Sequence, residues 1–480
     1  MTDAPLRLAA SAAELADDFA RVRHDLAVPA GFDADVIAEA ARAARDGPQP
    51  PLGATGARLD ARDLELVTVD PPGTRDLDQA FHAERRGTGY RVHYAIADVA
   101  AFVAPGGALD REAFARGVTL YLPDGRAPLY PDDLGEDAAS LLPGVDRPVL
   151  LWTFDLDTGA SASATRCVRA TVRSRAALAY AEVQHSLESG DALPSLALLR
   201  EIGGHLLDRE RERGGVSIAA PDQEVVRQAD GSYALEFEAP LPVEAWNAQI
   251  SLLTGREAAR IMADAGVGLV RTLPAPAPAV VARLRATAAA LGISWARDAS
   301  YADVVRGLLP TSRARSTFLL QALHVLRGAG YELVTPGAPV PSHAAVGAPY
   351  AHVTAPLRRL ADRHANEVVL AACAGVAPPE WAVAALPDLV TVMPRANQHA
   401  SAVNRACVDA VEVVLLSGHE GETFRGTVVD RHRRGVVVML TELPIVASVP
   451  GSGELGDAVT VRLEALDAVA RTATFVRQPR

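Results

Sequence analysis

The apolar run 66-LVTV-69 ends on Asp70, and the next three residues, Pro71, Pro72 and Gly73, let neither a strand nor a helix continue. A β-branched run of this kind reads as a strand, so Asp70 falls at a strand end. The loop that follows carries Asp76 and Asp78 two residues apart, where an extended backbone points both side chains the same way. Carboxylates directed at one point repel each other unless a cation sits among them, and hard oxygen ligands suit Mg²⁺ or Mn²⁺. Such ions serve phosphodiester cleavage, one activating water and another steadying the leaving oxygen. Spacing alone leaves a second possibility open, because Asp beside Pro-Gly also makes ordinary turns.

Short β-branched runs separated by turns continue from about 58 to 180 (91-RVHYAIADV-99, 149-VLLWTFDLD-157, 168-VRATVRS-174), which predicts a mixed sheet. Two helices are expected before it, over 11–26 with Ser11 and Glu14 as a capping box, and over 32–46. Residues 193–212 and 242–335 read as mostly helical, as do 356–373 and 394–417. The last 60 residues change character: five short strands at 423–431, 434–441, 445–449, 457–467 and 470–477 suit a small barrel of oligonucleotide-binding type.

Composition narrows the chemistry. The chain has no lysine, so all 47 basic residues are arginine. That excludes the lysine-dependent phosphate loop and Schiff-base catalysis, and no nucleotide cofactor is expected. Phosphate recognition must use Arg forks, backbone N–H groups or metal ions. A net charge of −12 argues against a protein that coats nucleic acid over its whole surface, while leaving room for a local basic channel. The three cysteines lack CxxC spacing, so neither structural zinc nor a disulfide framework is indicated. An acidic N-terminus and the lack of a long apolar run predict a cytoplasmic chain with no membrane partner.

The acidic stretch is followed by 93-HYAIADVAAFVAPGGALDREAFARGVTLYLPDGRAPLYPDDLGEDAASLLPG-144 and, later, by 343-HAAVGAPYAHVTAPLRRLAD-362. Together these resemble the catalytic (RNB) domain of the ribonuclease II family of 3′-to-5′ exoribonucleases, over about 58–415. The resemblance implies an α/β RNB domain at 58–417, a C-terminal S1-like barrel of oligonucleotide-binding fold at 418–480 and a short helical segment at 1–57. It further implies a monomer that removes 5′-mononucleotides from single-stranded RNA with Mg²⁺ or Mn²⁺. Asp70, Asp76 and Asp78 match the family's metal-binding and catalytic acids, Asp78 being the one that matters most to the chemistry. Tyr121 matches the aromatic that holds the terminal base, Tyr180 a second aromatic at the RNA 3′ end, and Arg358 the arginine at the scissile phosphate. Arg359 beside it, and Arg425 and Arg433 in the barrel, are further candidates for RNA contact.

The family pattern also breaks. Gln79 stands in place of a fourth aspartate, and is expected to lend a carbonyl oxygen to a cation without supplying charge. Ala248 and Gln249 replace a pair of glutamates, Asn404 an acid, and Leu360 a tyrosine. Three losses of negative charge in one cavity make a catalytically impaired RNA-binding relative the alternative function.

Overall fold

The strand that ends on Asp70 is one of seven in a mixed sheet. The computed structural model describes residues 9–53, 57–217, 222–238, 240–308, 312–323, 325–432, 434–441 and 443–478. The sheet strands are β1 (Leu59–Asp60), β2 (Val67–Asp70), β3 (Gln79–Arg86), β4 (Gly89–Ala97), β5 (Asp146–Leu156), β6 (Ala162–Arg173) and β7 (Ala176–Ala179), in the order β7-β2-β3-β4-β5-β6-β1. The β7–β2 and β6–β1 pairs are parallel and the others antiparallel.

Alternation along these strands separates two faces. Phe81, Tyr94 and Trp152 form one cross-strand row and are buried, whereas His82, His93 and Thr153 form the next row and are half-buried. Four helices need labels: α1 (Ala12–Asp25), α2 (Pro242–Ala265), α3 (Leu360–Ala374) and α4 (Glu380–Leu416). Helix α2 covers the buried face, where the Ser251 hydroxyl meets that of Tyr94 at 2.7 Å. Gly255 on α2 permits the segment after Tyr350 to lie directly on the helix, since a Cβ there would stand 2.2 Å from the Tyr350 ring. The Ala351 N–H donates to the Gly255 carbonyl at 3.0 Å and fixes that contact.

Helix α1 starts at the expected capping box, Ser11 with Glu14, and packs on α4. Its Arg23 forks Asp124 at 2.9 and 2.7 Å, tying the N-terminal helix to the tip of the hairpin Leu120–Leu122/Gly125–Ala127.

The region 242–335 is less helical than its Leu, Ala and Arg spacing suggests. Gly268–Thr272 and Gly330–Val334 pair as an antiparallel ribbon, because short apolar runs do not distinguish strand from helix by periodicity. Helix α4 begins 14 residues before the expected 394 and runs through Pro387 and Pro394, which read as breaks in the sequence. At the C-terminus the five expected strands form one antiparallel sheet, in the order Val446–Pro450, Gly435–Leu440, Thr423–His432, Ala458–Asp467, Thr472–Arg477. Its two outer strands lie against each other. Phe424 and Phe475 meet edge to face inside it, both buried, so neither offers a base-stacking surface.

Candidate active site

Three chain segments converge: the end of β2, the loop that precedes β3, and residues 354–358. Gly73, at φ +81°, turns the chain after Pro72, and the Thr74 hydroxyl donates to the Pro71 carbonyl at 2.8 Å. Leu77 then anchors the loop, fully buried. Its N–H donates to the Ser140 hydroxyl at 3.0 Å and its carbonyl accepts the Leu141 N–H at 3.0 Å. Asp76 and Asp78 flank this fixed point.

Asp78 is 2% exposed and held at both oxygens. Its Oδ1 accepts the Leu357 N–H at 2.7 Å, and its Oδ2 faces Arg358 Nε at 3.2 Å. Oδ2 of Asp76 accepts the Tyr121 hydroxyl at 2.8 Å, while its Oδ1 is 3.8 Å from Arg126 Nη1. Tyr121 and Arg126 sit opposite one another in their hairpin, and Arg126 also pairs with Glu136. Oδ2 of Asp70 is buried with no hydrogen-bond partner among the described residues.

Burial dominates the electrostatics. It pushes the carboxyl of Asp78 up to about 7 and that of Asp70 up to about 6, against the opposing pull of the Arg358 charge. The negative charge of Asp76 raises both further. Tyr121 is raised as well, by burial and then by Asp76, although half of the residue remains exposed. Tyr180 opens the helix Tyr180–Ser189; its hydroxyl accepts from Asn247 Nδ2 at 3.3 Å, and its pKa is raised by burial and by the charge of Asp70. Asp70, Asp76, Asp78, Arg358, Tyr121 and Tyr180 therefore gather at one place.

The other candidates do not. Arg359 turns to Asp362 at 2.8 Å, whose same oxygen accepts the Ala355 N–H at 2.7 Å, so it braces the turn that presents Arg358. Arg425 lies exposed on the strand Thr423–His432, and Arg433 lies outside the described residues. Gln79 is committed at both ends of its amide. Nε2 donates to the Thr354 carbonyl at 2.5 Å, and Oε1 accepts the Tyr94 hydroxyl at 3.3 Å. The oxygen expected to face a cation thus already accepts one long hydrogen bond.

Gln249 and Asn404 do not belong to the acid cavity either. Residues 247 and 251 of α2 face the site, and residue 249 lies about 200° around the helix from 247. There its amide donates to the buried Glu210 carboxylate at 2.5 Å. Asn404 is exposed on α4, and Leu360 is fully buried at the start of α3. The losses at 249 and 404 thus lie away from the cluster, whereas Gln79 adjoins Asp78 and Ala248 lies three residues before Ser251 on the same side of α2. Sequence reasoning missed Asn247, Tyr94, Ser251 and Arg126; of these only Arg126 left a signal, since Asp124-Gly125 marks a hairpin that pairs it with Tyr121.

The donor set suits a hard divalent cation. Asp70 has an orphaned buried oxygen and Asp76 one without a hydrogen bond, whereas Asp78 and Gln79 are engaged. No three His, Cys, Asp or Glu side chains among the described residues form a ready ligand set.

The sequence profile of the RNB domain matches residues 58–374. The chain belongs to the RNB family. The profile of the RNase II-type exonuclease C-terminal S1 domain matches residues 422–478. Ribonuclease R of Escherichia coli is 29% identical over 331 residues, which cover 65% of this chain and 40% of that protein. The chain thus spans less than half the length of this curated relative. Among solved structures, Mycoplasma genitalium RNase R in complex with ribose-methylated single-stranded RNA superposes with a TM-score of 0.85 at 20% identity, covering 97% of this chain and 78% of the other. A yeast protein described as a pseudonuclease superposes with a TM-score of 0.68 at 16% identity, covering 87% and 54%. At these identities the superpositions speak for the RNB fold alone. No helix among the described residues is long and apolar enough to cross a membrane.

Proposed function

We propose that this chain is a 3′-to-5′ exoribonuclease that hydrolyses single-stranded RNA to 5′-mononucleotides with a divalent cation. The observation that carries this is the meeting of Asp70, Asp76 and Asp78 with Arg358, which comes from a motif 280 residues beyond Asp78. Asp70 and Asp76 would hold Mg²⁺ or Mn²⁺, which when bound would activate water and offset charge on the phosphate. Arg358 uses Nε on Asp78, and its terminal nitrogens, on a side chain 46% exposed, fork the phosphate oxygens. Asp78, fixed at both oxygens and poised near neutrality, takes a proton from the attacking water. Tyr121 stacks on the terminal base while its hydroxyl orients Asp76, and Tyr180 borders the 3′ end. Residues 58–417 form the catalytic unit and 418–480 an appended RNA-holding unit, in which Arg425 follows the backbone, with Arg433, outside the described residues, proposed for the same role.

A second reading has support in Gln79, whose amide fills a position that an acid would otherwise hold. On that reading the chain binds RNA without cutting it. Incubating 5′-labelled single-stranded RNA with Mg²⁺, Mn²⁺ or EDTA separates the two. A ladder shortening from the 3′ end only with metal supports the nuclease; retarded RNA of unchanged length in every condition supports the binder, and equal cutting of single-stranded DNA would reject both.

A further inference from the structure

Arg126 stands between Asp76 and a second carboxylate, Glu136. It lies opposite Tyr121 in the hairpin Leu120–Leu122/Gly125–Ala127, so both side chains leave the ribbon on one face, toward Asp76. The Arg23 fork on Asp124 holds the tip of that hairpin, and the Leu129 N–H donates to the Thr119 hydroxyl at 3.0 Å across its base. Glu136 belongs to the helical turn Asp133–Ala138, whose Leu134 and Gly135 N–H groups donate to the Pro131 carbonyl at 2.9 and 2.8 Å. Braced backbone therefore presents both partners.

The two sides of the guanidinium are held unequally. Nη2 pairs with Glu136 and lies 3.6 Å from Asp132 Oδ1, whereas Nη1 stops 3.8 Å from Asp76 Oδ1, beyond hydrogen-bond range. Side-chain exposure is 25% for Arg126, 12% for Asp76 and 13% for Glu136, so water screens these charges less than those of an open surface pair.

Oδ2 of Asp76 is taken by the Tyr121 hydroxyl, which leaves Oδ1 for a cation, and Arg126 is the charge facing that oxygen. A guanidinium about 1 Å nearer would donate to Oδ1 in ordinary charge-assisted geometry and fill it. Glu136 and Asp132 oppose that approach by holding the other nitrogen. Without Arg126 the fault would be reversed, because the charge of Asp76 already acts unfavourably on Asp70 and Asp78.

Resting on the assignment of Asp76 as a cation ligand, we infer that Arg126 is the built-in counter-ion of Asp76. It is a positioning residue that offsets the Asp76 charge in the metal-free protein and yields Oδ1 to a divalent cation, and Glu136 sets how readily it yields. Arg126 and Glu136 then act on metal affinity with opposite signs, which a purely structural brace would not do.

Mn²⁺ titration of the full chain without RNA, with free Mn²⁺ read by electron paramagnetic resonance, tests this. Melting curves in EDTA establish that each variant is folded. Saturable binding is expected in the parent and is lost in Asp76→Asn. Removing one positive charge beside a divalent cation should tighten binding about three- to tenfold in Arg126→Gln. Glu136→Gln frees the guanidinium to close on Oδ1 and should weaken binding at least about threefold. In the Arg126→Gln background the same Glu136→Gln change should shift affinity less than about twofold, since Glu136 acts through Arg126. Equal affinity in the parent and Arg126→Gln overturns the inference. So does an equal loss from Glu136→Gln with and without Arg126, which makes both residues distant charges only. Glu136→Gln leaves Arg126 in place and is decisive by itself if Arg126→Gln does not fold, affinity equal to the parent again overturning the inference. Absence of saturable binding in the parent, or binding kept in full by Asp76→Asn, instead removes Asp76 from the metals and takes the proposed cation site with it.

Discussion

Arg358 Nε stands 3.2 Å from Asp78 Oδ2, while the N–H of the neighbouring Leu357 reaches Asp78 Oδ1 at 2.7 Å. One carboxylate thus joins two motifs that lie far apart in sequence. Asp78→Asn keeps the size but loses an acceptor, turning an N–H₂ toward one of two donors. We expect the single-turnover rate to fall about 10²- to 10⁴-fold, the range for removing a proton-transfer group. RNA affinity in EDTA, read by fluorescence anisotropy, is expected to change only a few-fold, because Tyr121 and Arg358 remain. A rate within threefold of the parent would remove Asp78 from the chemistry.

Acidity links this centre to metal and to stability. Burial raises Asp70 to about 6 and Asp78 to about 7, both above the unfolded value of 3.8. Groups raised in this way favour the fold most when protonated. Their contribution is fully present below about pH 3.8 and is lost as pH rises through 6 and 7. The metal-free protein should therefore lose stability between about pH 4 and 7 more steeply than Asp78→Asn, and Mg²⁺ should restore part of the loss. Since cation binding displaces protons, the Mg²⁺ concentration for half-maximal activity should fall as pH rises from 6 to 8. Activity and melting temperature measured on one grid of pH and Mg²⁺ check both slopes.

Gln79 fastens β3 to the Thr354 carbonyl. Gln79→Asp removes that donor and places a carboxylate near a carbonyl oxygen and two existing acids. The loss of a buried hydrogen bond costs roughly 1–3 kcal/mol. The variant should melt lower in EDTA, regain more stability from Mg²⁺ than the parent does, and reach half-maximal activity at a lower Mg²⁺ concentration. Equal Mg²⁺ requirements in the two forms would mean that residue 79 has no influence on the cation.

Tyr121 has two functions that two substitutions separate. Tyr121→Phe keeps the exposed ring and loses the hydroxyl on Asp76, whereas Tyr121→Ala loses both. Base stacking on an aromatic contributes about 1–3 kcal/mol per base. Tyr121→Ala should accordingly weaken RNA binding in EDTA about tenfold or more, and Tyr121→Phe should bind like the parent while needing more Mg²⁺. Equal binding by both variants would show that the ring holds no base.

Much of this was legible in the sequence because local chemistry dictated it. The Pro-Pro-Gly break fixed the end of β2, Ser11 and Glu14 fixed the start of α1, and β-branched runs between turns located the sheet and the five C-terminal strands. The cluster of Asp70, Asp76, Asp78 and Arg358 was legible only through the joint pattern of distant motifs, since no spacing rule brings residue 78 to residue 358. What escaped was directional. That Arg359 turns to Asp362, Gln79 to Thr354 and Gln249 to Glu210 depends on which face of an element meets which neighbour. The ribbon formed by Gly268–Thr272 and Gly330–Val334 escaped for a related reason, because its pairing is long-range while its local pattern resembles helix.

The position of Gln249 supplies a test of that directionality. Its side chain donates to Glu210 Oε2 at 2.5 Å and the Ser217 hydroxyl to Oε1 at 2.9 Å, so this buried carboxylate takes its hydrogen bonds from neutral donors, with the charges of Arg213 and Arg256 nearby. Both residues are almost fully enclosed, Glu210 at 2% and Gln249 at 3% exposure. Gln249→Glu sets two carboxylates against each other in a place that water hardly reaches, so only one can ionise without a large penalty. The destabilisation should be on the order of 3 kcal/mol at pH 8. It should shrink on acidification as one of the pair takes a proton and becomes a donor to the other. Because residue 249 faces away from Asn247 and the acid cluster, the Mg²⁺ dependence of RNA cleavage at a temperature where the variant is folded should match that of the parent. A variant that melts like the parent at pH 8 but cleaves RNA at lower Mg²⁺ would place residue 249 in the acid cavity after all.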